Sequence, residues 1–425
     1  MLRVITANDN ANRPITLIAV VTAFCLLGDS MLYVVLPIYW HEAGLTSLWQ
    51  VGILLSVNRF VRLPLNPLIG WLYRKMPLRV GLVTAVLLGS LTTIGYGTLH
   101  GFAAWLVLRA VWGVAWSLLR MGGFLTVIAY SDDSNRGRWM GRYNGLSRIG
   151  SLFGMLLGGL LTPIFGLSAV AVAFGLIALA GLPSISIWMP KRSTAPGKAD
   201  VKPRTASEDG AADQAGVWYK SAAVRKAIAT GLILSMLQAI LTATLSLVIE
   251  SNYSGVQTLF GIALAGTALA GGLQAVRWTA EPLLASWFGR LSDGPRGRLP
   301  LFATALVASA AGFALMPWPL PFALWLAAVL LVMVAGTAVS TLMDALASDA
   351  ARTASVIAVM TAYSVATDLG SAIGPAASYA LAGWAGGLVP AYVGSAVIFG
   401  AIALWHWPRR KAKPFSAGTG ASGGL

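Results

Sequence analysis

Apolar stretches of about 20 residues or more recur twelve times along this 425-residue chain, near 14–40, 47–72, 78–99, 101–129, 138–165, 167–189, 227–249, 257–288, 299–317, 321–347, 354–382 and 386–407. A run of that length matches the hydrocarbon thickness of a bilayer, and a segment placed there can satisfy its backbone only as a helix or in a closed barrel. The succession predicts an all-α membrane protein of twelve transmembrane helices, six before a break and six after it. The break, residues 191–226, is rich in Lys, Arg, Asp, Glu, Ser, Pro, Gly and Ala and has little to bury, so it reads as a linker. The expected organisation is a six-helix bundle over 1–190, a cytoplasmic linker over 191–226, a second six-helix bundle over 227–408 and a cytoplasmic tail over 409–425. Met1 to Arg13 is polar and the apolar run behind it is too long for a cleaved signal, which predicts a retained first helix. Trp218-Tyr219, at the end of the linker, suit an interfacial anchor.

Composition agrees. Only 11% of the residues are charged and 57% are hydrophobic, with mean hydropathy +0.73, against roughly 25% charge in soluble domains. So little polar surface cannot cover a water-soluble globule of this size. The 47 glycines suit helices that approach closely in a bilayer. Cys25 is the single cysteine, so one chain can form no disulfide framework.

A net charge of +15 would suggest nucleic acid in a soluble protein, but its placement argues otherwise. The connections at 41–46, 98–101, 163–168, 250–256, 317–321 and 383–388 contain no Lys or Arg. The alternate ones carry Arg74-Lys75-Arg79, Arg136-Arg138-Arg142, the linker's eight basic residues, Arg290-Arg296-Arg298 and Arg352, and the tail adds Arg409-Arg410-Lys411. Both termini and the linker are therefore expected in the cytoplasm, and the charge is topological.

The halves repeat each other. Arg62 and Gly70 in the second stretch answer to Glu281 and Gly289 in the eighth, 219 positions on. Tyr143, Arg148, Gly150 and Gly154 answer to Tyr363, Asp368, Gly370 and Gly374, 220 positions on. In both matches an arginine in the first half meets a carboxylate in the second. A duplicated architecture of this kind marks membrane transporters.

Over essentially its whole length the chain resembles the major facilitator superfamily. Gly70-Trp-Leu-Tyr-Arg74-Lys-Met-Pro77-Leu-Arg79 is similar to that family's loop signature between helices two and three, with Arg74 where the family usually has aspartate and Pro77 in place of its second glycine. The copy, Gly289-Arg-Leu-Ser-Asp293, keeps the aspartate, which implies a gate latched mainly from the C-terminal half. Leu106 to Trp116, with Arg109 and Gly113, resembles the helix-four signature, whose arginine is associated with proton coupling. Gly150-Ser-Leu-Phe-Gly154-Met155-Leu-Leu-Gly158-Gly159 resembles the helix-five signature of exporters, without its usual proline. The proline form stands in the partner helix as Gly374-Pro375. The resemblance implies two six-helix bundles that alternate access to a cavity between them.

Charges at bilayer depth cost a few kcal/mol or more unless they face protein or water, so those in the apolar stretches should line that cavity. The candidate substrate-binding and coupling residues are Asp29, Arg59, Arg62, Arg109, Trp116, Arg148, Arg277, Glu281 and Asp368; Gly70, Arg74, Arg120, Gly289, Asp293 and Asp344 are gating candidates. Arg277 and Glu281 have the i,i+4 spacing of a local ion pair. A carboxylate that exchanges a proton needs burial favouring its neutral form and a cation favouring its charged form. Asp29 beside Arg109 meets that description, with Glu281 and Asp368 in reserve. Arginines outnumber carboxylates, and guanidinium suits carboxylate and phosphate. With Trp112, Trp116 and Trp278 nearby in sequence, this favours a small anionic or zwitterionic amphiphilic solute.

The function expected is proton-coupled export across the cytoplasmic membrane of a bacterium, with proton-coupled import of an organic anion as the alternative and a non-transporting receptor or a channel as the remote one. The chain is expected to act as a monomer in lipid, with protons as coupling ion, no cofactor and no nucleic-acid partner. An enzyme would need a nucleophile or metal cluster, yet His41, His100 and His406 are scattered near helix ends and no His-Glu-x-x-His or paired-cysteine spacing exists. Nucleotide-driven pumping lacks its phosphate-cradling loop.

Overall fold

The computed structural model describes residues 2–131, 135–188, 221–253, 257–259, 262–292, 297–351, 356–385 and 387–407. Trp218-Tyr219, Asp293, Arg352, the tail and nearly all of the linker lie outside these residues. The helices are α1 (Leu2–Tyr39), α2 (Leu48–Lys75), α3 (Leu78–Thr98), α4 (Phe102–Tyr130), α5 (Arg136–Leu179), α6 (Leu182–Trp188), α7 (Ala222–Asn252), α8 (Gly266–Ser292), α9 (Arg298–Leu315), α10 (Phe322–Ala351), α11 (Val356–Ala385) and α12 (Val389–Trp405). Among the described residues, seven helical spans are long and apolar enough to cross a membrane. The long helices outside that set are α2, α8 and α11, and these carry Arg59, Arg62, Arg277, Glu281 and Asp368. Their hydropathy falls because they carry the polar groups of the interior.

One expected boundary is met at a glycine, and another needs correction. A 44-residue α5 would be about 66 Å long if straight, twice the thickness of a hydrocarbon core. It bends at Gly166, whose backbone (φ 80°, ψ 161°) is open to glycine, and the second arm begins as the Leu167 N–H donates to Glu42 Oε2 at 3.1 Å. The division expected between 165 and 167 is therefore present: two helical arms meet at Gly166, and α6 follows the second. The eighth stretch does not start as a helix at 257. Gln257–Leu259 and Ile262–Leu264 form a short antiparallel hairpin, and the helix begins at Gly266. Ser254-Gly255 and Gly261 interrupt the apolar run there, and the Thr and Ile around Gly261 favour strand.

Each half is held by a helix pair whose backbones nearly touch. On α5, a Cβ at Gly150 would lie 2.1 Å from the Ala23 carbonyl oxygen of α1, and one at Gly154 2.5 Å from that of Leu27. In the second half Gly370 and Gly374 of α11 stand 2.0 and 2.5 Å, on the same measure, from the Leu232 and Met236 carbonyl oxygens of α7. Between lipid-facing helices there is little hydrophobic drive, so such small-residue contacts supply the packing. The duplicated glycines of the sequence are therefore duplicated contacts.

The halves meet at the face away from the basic loops. There α2 meets α11: Ser56 Oγ accepts from the Ala376 N–H at 3.0 Å, just past Pro375, and Gly52 lies against Tyr379 and the Pro375 carbonyl. On the other flank α5 meets α8: Thr267 Oγ1 donates to the Gly159 carbonyl at 3.0 Å, and Gly271 abuts the Met155 carbonyl. Toward the basic face the halves part around a cavity.

Replacing Gly150 or Gly370 with valine should lower stability by about 2 kcal/mol or more, since backbone rather than a flexible side chain blocks the added atoms. Gly272→Val, at a position with open space, serves as the control. Thermal unfolding of the purified variants checks this, and equal midpoints for all three would contradict it.

Candidate functional site

The buried charge at the centre of the first half is Arg109 of α4, with no exposure at all. Its Nη1 donates to Asp29 Oδ1 of α1, and its Nε donates to the Leu54 carbonyl of α2 at 2.8 Å. One guanidinium thus ties three helices together. Gly113, one turn further along α4, has the Asn58 backbone 2.7 Å from where a Cβ would sit, so α2 can approach closely enough for the Leu54 bond. Removing Arg109 would leave a carboxylate unpaired in the membrane interior, a change that typically costs about 3–5 kcal/mol. Tyr33 and Tyr96 are its further polar neighbours, and the Arg59 guanidinium stands 5.8 Å from the Tyr33 ring centroid.

A second cluster lies where α5 meets α8. Arg148 Nη1 approaches Glu281 Oε1 at 3.5 Å, and its guanidinium lies 5.6 Å from the Trp278 ring centroid. Arg277 turns instead to α7, donating from Nη1 to Thr242 Oγ1 at 3.1 Å. The i,i+4 ion pair expected between Arg277 and Glu281 is therefore replaced by one between halves. The arginine of one bundle answers the carboxylate of the other, which two residues on one helix cannot do.

The opposite flank repeats this arrangement by the internal duplication, because Arg62 corresponds to Glu281 and Asp368 to Arg148. Arg62 of α2 has Arg59, Asp368, Tyr33 and Asp29 as electrostatic neighbours, but among the described residues no ion pair within 4 Å joins it to Asp368. One flank is closed by its charge pair. The other is open.

Between α4 and α11 a cavity of about 740 Å³ opens toward the basic face, lined by Arg120, Phe124, Ser364 and Asp368 among others. Asn66 and Ser117 add polar wall, and Met121, Met360 and Val365 add apolar wall. Arg120, expected at the gate, lines this cavity with its guanidinium 5.5 Å from the Phe124 ring centroid. Trp116 is partly buried, 6.4 Å from Trp112 and packed into the core of the first half, and it is absent from the wall. Asp344 accepts from Tyr363 Oη at 2.8 Å, joining α10 to α11 near the basic face. Gly70 and Gly289 have room around them, and Arg74 is exposed.

Sequence reasoning that searched for charges passed over the neutral polar groups beside them. Asn58 Oδ1, Gln274 Oε1, Arg277 Nε and Trp278 Nε1 are buried with no hydrogen-bond partner among the described residues, and Gln238 Nε2 donates to the Gly336 carbonyl at 3.2 Å. Their signal was available: Asn58, Gln238 and Gln274 are amides inside otherwise apolar helices. Among the described residues no cluster of His, Cys, Asp and Glu could hold a metal.

Two helical halves closed at one face and parted at the other, with the charges at membrane depth turned to the protein interior or the cavity, define a multi-pass membrane transporter of the secondary type. The Major Facilitator Superfamily model matches residues 18–363, and the chain belongs to that superfamily, whose members are transporters and not enzymes. Among solved structures, it superposes on a bacterial homolog of the human lysosomal transporter Spinster, in an inward-facing and unoccupied conformation, with TM-score 0.68 and 15% identity, covering 93% of this chain and 96% of that one. A POT family transporter in complex with 5-aminolevulinic acid gives TM-score 0.70 at 11% identity, covering 92% and 94%. Likeness at these identities concerns the fold alone. A synaptic vesicular amine transporter of Bos taurus is 28% identical over 145 residues, which is 34% of this chain and 28% of that protein.

Proposed function

We propose that this protein exports a small amphiphilic solute bearing an anionic or zwitterionic group, in exchange for protons, across the cytoplasmic membrane of a bacterium. The observation that carries the reading is the pairing of a buried Asp29–Arg109 centre with a cavity whose facing walls, α4 and α11, bear Arg120 and Asp368. A solute with both charges meets a partner on each wall, and Phe124, Met121 and Met360 take its apolar part. Asp29 is the group that exchanges the proton: Arg109 is its ion-pair partner, and substrate and proton compete for the pair. The excess of Lys and Arg in alternate loops supports an orientation with both termini and the mouth of the cavity on the cytoplasmic side. The contacts of Ser56 and Thr267 with the other half close the opposite side, so the conformation is the loading state of an exporter.

A second reading gives the substrate an amine and no anionic group. It rests on the partial match to a vesicular amine transporter and on Asp368 in the cavity wall. Arg120 on the facing wall favours the zwitterion.

In proteoliposomes, Asp29→Asn should abolish transport driven by a pH gradient and leave substrate counterflow, which needs no net proton movement, at least partly intact. Arg109→Ala should damage both, since it removes the cation that orients Asp29 and the tie to Leu54. Gradient-driven transport that survives Asp29→Asn would move the coupling role to Glu281 or Asp368. Orientation has its own check. With Cys25→Ala as background, cysteines at His100 and Asn252 should react with an impermeant thiol reagent in intact cells, and one at Thr205 should not. Labelling at 205 would invert the topology.

A further inference from the structure

On the outer side of the first half, a crevice of about 570 Å³ runs between α1, the start of α5 and the region where α5 passes into α6. Arg13 and Arg142 line it, together with Leu17, Phe24, Gly181 and Ser184. The crevice is not part of the transport site. Val20, in its floor, is nine residues before Asp29, which at 3.6 residues per turn puts it on the opposite side of α1 from the coupling carboxylate.

Its dimensions match one leaflet. From Arg13 to Phe24 the helix rises about 16 Å, and half of a hydrocarbon core is about 15 Å. Both arginines stand at the water boundary, Arg13 just before the apolar run of α1 and Arg142 within the first two turns of α5, on the face that carries the basic loops. The Arg142 guanidinium lies 5.7 Å from the Trp139 ring centroid, a contact that restrains it at headgroup level. Below them the lining is apolar: Leu17, Val20 and Val21 are partly or fully buried, while Phe24 keeps 37% of its surface exposed. At Gly181 an added Cβ would come within 3.2 Å of Val21, so the glycine keeps the crevice clear where α6 crosses α1.

We infer that this crevice binds an anionic phospholipid of the leaflet on the basic face, its phosphate held by Arg13 and Arg142 and one acyl chain lying along α1 as far as Phe24. Guanidinium groups pair with phosphate in two-point fashion, and basic pockets between membrane helices suit such headgroups. The lining also sets a preference. It holds two cations, Arg13 and Arg142, which favour a headgroup of net negative charge over a zwitterionic one. A second copy of the chain would bring a second pair of arginines against the first, which disfavours a protein partner.

The purified full-length protein in neutral detergent, titrated with phosphatidylglycerol, phosphatidylcholine or inorganic phosphate, tests the inference by native mass spectrometry and by thermal unfolding. Phosphatidylglycerol should remain bound and raise the unfolding midpoint; phosphatidylcholine and inorganic phosphate should do neither. Arg13→Gln with Arg142→Gln should weaken phosphatidylglycerol retention by about tenfold or more. Val20→Trp, which fills the floor and leaves both arginines, should weaken it too and covers the case in which the double exchange does not fold. Retention unchanged in the variants, phosphatidylcholine binding as tight as phosphatidylglycerol, or a phosphate-only effect of equal size would each overturn the assignment.

Discussion

A charge placed in hydrocarbon must find water, protein or a counter-charge, and nearly every functional feature of this molecule follows from that constraint. Arg109 has no exposed surface and meets it with Asp29 and the Leu54 carbonyl, joining α1, α2 and α4. Arg148 meets it across the boundary between halves, at Glu281. Arg120 and Asp368 meet it at the wall of the cavity that opens to the basic face. The polar interior and the apolar exterior are the same requirement seen from two sides.

Duplication explains how so few residues create an asymmetric machine. The backbone is repeated faithfully, as the glycine contacts of α5 on α1 and of α11 on α7 attest, down to carbonyl approaches of 2.0 to 2.5 Å for a virtual Cβ. The charges are repeated with their sign reversed, so each flank can form a bridge from an N-terminal arginine to a C-terminal carboxylate. With Arg148 and Glu281 at 3.5 Å and, among the described residues, no ion pair within 4 Å between Arg62 and Asp368, the flanks differ while the frame stays symmetric. The Arg148–Glu281 pair is formed on one flank, while on the other Asp368 lines the cavity.

Much of this was legible in the residues. Helix positions followed from apolar length, because a membrane leaves the backbone no alternative there, and the Asp29–Arg109 pair followed from depth, because Asp29 is the one carboxylate within the apolar stretches of the first half and Arg109 is a deep arginine in the same bundle. Glycine spacing in Gly150–Gly154 and Gly370–Gly374 announced the close contacts. What was hidden depended on geometry between helices. The i,i+4 spacing of Arg277 and Glu281 is compatible with a local pair, and only the approach of α5 to α8 redirects Glu281 to Arg148. Trp116 shares a helical face with Arg109 and Arg120, yet stacking on Trp112 turns its ring into the core. The hairpin before Gly266 is a local departure inside a run whose composition alone says helix.

On the function proposed above, the two halves rock about this charged middle, opening one face as the other closes, with Asp29 setting the balance. Double electron–electron resonance measures it most directly, with spin labels at Arg74 and Arg290 for the basic face and at Trp49 and Trp384 for the opposite face, in a Cys25→Ala background. These four side chains are exposed. The prediction is that moving from alkaline to acidic buffer shifts the two distance distributions in opposite senses, and that Asp29→Asn locks both at the acidic values. Distances that move together, or that respond to pH equally with and without the Asp29 carboxyl group, would contradict it.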